Sequence, residues 1–144
     1  MARPQRSYGR TGTAVIPDAW ATDLRPVAEG TMTATVQIRH PGTTQAWSDE
    51  AEQNVDTPNA AYYSGAARVQ VLGTQARPII TVGDREVVAQ YLVTVPATVD
   101  PTELDLVTVT DSGDPALDDQ ALLIGQVARG SLLVERDLFC ALDI

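Results

Sequence analysis

The stretch Thr31-Met32-Thr33-Ala34-Thr35-Val36-Gln37-Ile38-Arg39 decides the fold class. Met32, Ala34, Val36 and Ile38 alternate with Thr33, Thr35, Gln37 and Arg39, the two-residue period of a strand with one face buried and one face wet. His40-Pro41-Gly42 closes it, because proline cannot donate to a strand ladder and glycine permits a turn. Toward the C-terminus the same pattern recurs. Ala67, Val69 and Val71 alternate with Arg68 and Gln70 ahead of Gly73, which predicts a short strand. Residues 86–95 are dense in Val, Leu and Tyr and end at Pro96, as expected of a strand covered on both faces. Residues 104–110 form another β-rich run, stopped by Asp111-Ser112-Gly113-Asp114-Pro115, and residues 120–128 form a fifth.

In residues 131–144, Leu132, Val134, Leu138, Cys140, Leu142 and Ile144 share strand parity, with Arg136 as the exception. Val134, Leu138 and Leu142 also share a helical face, so a helix is the alternative. The tight Arg129-Gly130 connection favours a strand. Toward the N-terminus, residues 14–30 contain Pro17 and Pro26, which limits any helix to about residues 19–24. Residues 1–12 are polar and basic, with Arg3, Arg6 and Arg10 and no hydrophobic period, and read as an arm that docks on a neighbour. Residues 42–65 read as a long polar connection carrying Asp49, Glu50, Glu52 and Asp56 without Lys or Arg, and connections of that length are often functional. The expected architecture is all-β: a small antiparallel β-barrel or sandwich over residues 31–144, preceded by an extended N-terminal arm over residues 1–30 and interrupted by the long loop. An open fold of this kind leaves unpaired strand edges, which a symmetric neighbour can satisfy in a ring.

The chain has 144 residues, enough for one domain that buries about 70% of its unfolded surface. The net charge of -9 argues against broad phosphate binding, which depends on many basic contacts. It serves either as a solubilising surface or as an acidic wall past which DNA slides. Cys140 is the single cysteine and cannot form an intramolecular disulfide; with one histidine it is too little for a Cys/His zinc site. No apolar window is long enough to span a bilayer, and the expectation is a soluble protein made in the cytoplasm.

The residues offer little for catalysis. No nucleophile motif, phosphate-binding loop or dinucleotide glycine fingerprint is present. His40 lies beside a turn proline and reads as solvent-facing, while Cys140 lies on an apolar stripe and reads as a buried, inert thiol. Asp111, Asp114, Asp118 and Asp119 form a carboxylate cluster, but their spacing departs from a calcium loop and Asp-Ser-Gly-Asp-Pro is common turn chemistry. Neither an enzyme nor a metal or cofactor site is expected.

Tyr62-Tyr63-Ser64-Gly65-Ala66-Ala67-Arg68-Val69, then Tyr91-Leu92-Val93-Thr94-Val95-Pro96, then residues 111–119 and the terminal hairpin over residues 122–136 follow in an order that resembles the head-completion, or stopper, proteins of long-tailed actinobacteriophages. The resemblance covers a little over half the chain. It implies a β-barrel subunit of a homo-oligomeric ring, a hexamer or dodecamer, in the neck of the virion. Such a ring has the portal or adaptor on its head side and the tail terminator or tail tube on its tail side. Packaged DNA passes through it without sequence-specific binding. By its placement, the loop at residues 43–59 resembles the gating loop of such rings, with Trp47 as its apolar contact. A tail-terminator subunit and a virion-surface β-module that binds carbohydrate or protein are the alternatives.

Overall fold

The alternating stretch at residues 34–39 becomes a barrel strand, and the later apolar runs find partners around the same sheet. The computed structural model describes residues 19–82, 84–130 and 133–142. In chain order its elements are helix α1 (Trp20–Glu29), strands β1 (Ala34–Arg39), β2 (Thr43–Ser48), β3 (Gln53–Pro58) and β4 (Ala61–Val71), a short 3-10 turn at Thr74–Ala76, and strands β5 (Ile79–Val82), β6 (Arg85–Val88), β7 (Tyr91–Pro96), β8 (Leu106–Asp111), β9 (Ala121–Val127) and β10 (Glu135–Leu142). Six strands close into an antiparallel barrel in the order β1-β4-β7-β10-β9-β8, and β8 pairs back onto β1. The fold is all-β, and of the two expected architectures the barrel is the one realised. The other four strands make two separate hairpins, β2–β3 and β5–β6.

Side chains fill the barrel. Val36 and Ile38 of β1 meet Val93 and Val95 of β7, Val107 and Val109 of β8, Leu122 and Ile124 of β9, and Leu138 and Cys140 of β10, all sealed from solvent. A six-stranded barrel is narrower than the eight-stranded kind whose interior just accommodates side chains, so one subunit encloses no channel. Arg136, the exception to the apolar parity of β10, lies where the barrel ends. Its guanidinium donates to the carbonyls of Val99 (2.7 Å), Ala128 (2.9 Å) and Ala97 (3.2 Å), three acceptors that the sheet leaves unpaired there. In β9 the inward period breaks at Gly125. The register against β10 shifts between Phe139 and Cys140, leaving Gly125 as the extra residue of a bulge, and Val127 then faces inward.

Five expectations are corrected. The helix extends past residue 24 to Glu29 despite Pro26, because its last carbonyls find donors: Gly30 N–H to Pro26, Thr31 N–H and hydroxyl to Ala28, and Met32 N–H to Glu29. The connection at residues 42–65 is no loop but the β2–β3 hairpin and the first half of β4; with neither hairpin face buried, the sequence carries no hydrophobic period to reveal it. Strand β4 runs from Ala61 rather than residue 67, pairing first with β1 and then, from Arg68, with β7. The run at residues 86–95 divides into β6 and β7; the expected cover on both faces holds for β7, where Val93, Thr94 and Val95 are all buried. Finally, the barrel is closed, so among the described residues the free strand edges belong to the two hairpins. The last segment is a strand, not the alternative helix. The arm with Arg3, Arg6 and Arg10 lies outside the described residues.

Candidate functional site: an acidic hairpin and its root

Strands β1, β7 and β9 finish at one end of the barrel, where β4, β8 and β10 begin, and the β2–β3 hairpin leaves from that end between β1 and β4. Thr43 pairs with Pro58 and each step follows in register to Ser48 with Gln53, so six-residue strands carry the tip about 20 Å from the root. All hairpin strand residues except Ser48 are exposed. Side chains of directly opposed residues share a face. Thr43, Gln45 and Trp47 therefore lie with Asn54, Asp56 and Pro58, while Thr44, Ala46 and Ser48 lie with Gln53, Val55 and Thr57.

The structure separates the proposed loop residues into two places. Asp49, Glu50 and Glu52 crowd the tip, where Glu52 adopts the left-handed conformation with φ of 52° that closes the turn. Asp56 lies part-way down, on the Trp47 face. Trp47 is 64% exposed, and its indole N–H donates to Asp49 at 3.0 Å, which draws a large apolar ring to the acidic tip. None of the described salt bridges involves these carboxylates.

The root is tied by polar contacts. Asn59 donates from Nδ2 to the carbonyl of Pro41 at 3.0 Å and accepts from the Thr44 hydroxyl, closing the neck of the hairpin. Below it, His40 and Tyr62, the residues flanking the hairpin, stack with ring centroids 4.6 Å apart. Both reach Asp105. The His40 Nδ1 lies 3.0 Å from Oδ1 and the Tyr62 hydroxyl donates to Oδ2, which also receives the N–H and hydroxyl of Thr102 at 3.1 and 2.9 Å. The Asp105 side chain is 2% exposed. Burial pushes its carboxyl up, but the bonds from Tyr62, Thr102 and His40 outweigh burial and hold it below the ordinary aspartate range. A carboxylate only accepts, so the His40 Nδ1 carries the proton it donates. Burial, followed by the bond to Asp105, raises the Tyr62 phenol and keeps it neutral.

His40 is thus only half described as solvent-facing: its ring is 60% exposed, yet one nitrogen is fixed. Asp105 and Thr102 escaped the sequence reading. The available signal was an acidic residue between Leu104 and Leu106 at the mouth of an apolar run, where a bare carboxylate needs partners.

The aspartate turn behaves as a turn. Asp118 accepts from the Ser112 N–H (2.9 Å) and hydroxyl (2.8 Å), and Asp114 accepts from the Ala116 N–H at 3.0 Å. Among the described residues no group of three or more His, Cys, Asp or Glu side chains is arranged to hold a metal ion. Cys140 is buried, and burial raises its thiol far above the range in which it reacts.

A family model matches residues 24–141, from inside α1 to inside β10. The chain belongs to the family of unknown function DUF6093. The matched region takes in the barrel but for Leu142, with both hairpins and the Asp105 root, so these lie within the match to the DUF6093 family. No curated protein matches the chain.

Proposed function

We propose that this DUF6093 chain is a structural ring subunit of the head-to-tail connector, or stopper, kind in the neck of a long-tailed phage. The ring joins head to tail and helps to retain packaged DNA. The observation that carries the proposal is the β2–β3 hairpin: two exposed strands and a tip that together carry four carboxylates and no basic residue, held away from a barrel that is already closed and filled. An isolated two-stranded hairpin is marginal in water, and this one buries nothing of its own chain along its length. It gains a purpose when neighbours surround it.

The channel of such a ring lies between subunits, because no subunit encloses one. Hairpins from several copies converge on the axis, and acidic tips cannot hold DNA by pairing with phosphates. Closure is then steric, with Trp47 supplying apolar contact between copies. Repulsion among Asp49, Glu50 and Glu52 keeps that closure reversible. The order of motifs that resembles stopper proteins supports the same reading.

The test is made on particles. Replacing residues 49–56 with a short glycine linker is expected to preserve barrel and ring but to give particles that lose DNA before tails attach. Particles that retain their genomes overturn the gating role. Imaging of particles carrying a tagged subunit is expected to place a ring of label at the neck; label capping the tail tube reassigns the chain as a tail terminator, and scattered single copies overturn the ring.

A further inference from the structure

We infer that Asp105 is a positioning residue that sets the direction in which the β2–β3 hairpin leaves the barrel. Two observations carry this. First, among the described residues Asp105 and Thr94 are the buried polar residues, and Asp105 spends its acceptors on both flanks of the hairpin at once: His40, where β1 hands over to β2, and Tyr62, where β3 hands over to β4. Those flanks are 22 residues apart in numbering and touch one carboxylate. A carboxylate with charge-assisted bonds in fixed directions defines an angle as well as an attachment.

Second, the backbone is strained to present it. Leu104 has φ of 76°, in the left-handed region that costs a non-glycine residue about 1–3 kcal/mol. That conformation is held from both sides by Ile124 of β9, whose carbonyl receives the Leu104 N–H at 2.8 Å and whose N–H donates to the Asp105 carbonyl at 3.0 Å. Thr102 fixes the carboxylate from beneath. The carboxylate is thereby anchored to β9, on the barrel core, and the hairpin hangs from it.

The direction matters for ring closure only if the connector reading holds. The measurement that tests positioning is made on the isolated chain and stands or falls without that reading. Spin labels placed through Glu50→Cys at the tip and Gln126→Cys on β9 report the tip-to-barrel distance, the native Cys140 being buried. The double variant His40→Phe with Tyr62→Phe keeps both rings but removes both bonds to Asp105, and avoids leaving a hole. It is expected to broaden the distance distribution at least twofold, in keeping with amide exchange across β2 and β3 at least about tenfold faster. Thr94→Val, which removes the bond from the buried Thr94 hydroxyl to Asp137, is the control. It is expected to lower the melting temperature without broadening the distance. An unchanged distribution in the double variant, or equal broadening in the control, overturns the inference. In particles, a double variant that broadens the distance yet still builds sealed necks counts against the connector role of the hairpin and not against the positioning.

Discussion

The two hairpins of this barrel are alike in secondary structure and opposite in attachment. The β5–β6 hairpin lies along the barrel wall: Ile80 is buried with Ala89 and packs with Leu72, Val87, Leu123 and Phe139 in a small second core. The β2–β3 hairpin buries no strand residue and is held only at its root, by a carboxylate and its donors. Apolar packing is non-directional and fixes a hairpin by covering it. Hydrogen bonds to a buried charge fix it by angle and leave its surface free. A hairpin that must present both faces to something else can use only the second method.

The sharpest way to break this contrast is at Gly125. A Cβ there would lie 2.0 Å from the Ile80 Cδ1, so Gly125→Val forces either the bulge or the β5–β6 hairpin to move. The expected cost is about 3 kcal/mol, the upper end for overpacking a well-filled site. It should be read as a lower denaturation midpoint, with loss of amide protection in β5 and β6 and none in β2 and β3.

Ile80→Ala approaches the same joint from the other side. It empties the small core without straining β9, and about 2 kcal/mol is expected for a large-to-small change at a site that can partly collapse. Equal loss of protection in both hairpins would show that they are not independent.

The sequence made one of these hairpins legible in part and the other not at all. Strands β1, β8, β9 and β10 could be read because one face of each is buried and leaves a period in the residues, as in Val36 and Ile38 or Leu138 and Cys140, and β7 because both of its faces are buried and leave a continuous apolar run. Strands β2 and β3 have no buried face, so their threonines, amides and Asp56 look like a loop. The acidic tip and Trp47 were visible as a composition, but the pairing of Ser48 with Gln53 that gathers three carboxylates into one tip was not. Asp105 was invisible for a different reason. Its partners His40 and Tyr62 are 65 and 43 residues away, and only closure of the barrel brings them together. Arg136 stands out in the sequence as a break in parity, yet its role as donor to three carbonyls depends on where the barrel ends.

The polar root also makes a prediction about pH. The Asp105 carboxyl is held below its ordinary value of 3.8 by its donors, so its contribution is present in full above that value and is lost as pH falls through the lower folded one. Acid titration followed by amide exchange is expected to loosen β2 and β3 in that window before the barrel melts. The β5–β6 hairpin, held by the packing of Ile80 among apolar side chains, should follow the barrel instead. Simultaneous loosening of both hairpins would remove the distinction between angular and packed attachment.

The smallest effect is expected at Trp47, and its smallness is informative. A tryptophan buried in a core costs about 3–5 kcal/mol when cut to alanine, because transfer and cavity terms add. Trp47 is 64% exposed and its one polar bond reaches Asp49 on its own hairpin, so removing it leaves no cavity and strands no buried donor. Trp47→Ala should therefore change the stability of the isolated chain by less than about 0.5 kcal/mol, the range of ordinary surface substitutions. Fluorescence of a Trp20→Phe variant, in which Trp47 is the remaining tryptophan, should show Trp47 as readily quenched by acrylamide. If the hairpin serves assembly, the same substitution that is silent in the monomer should weaken association between copies, measured by sedimentation across a concentration series. A loss of several kcal/mol in the monomer would mean that Trp47 is covered by its own chain, and the free face on which the contrast between the hairpins rests would not exist.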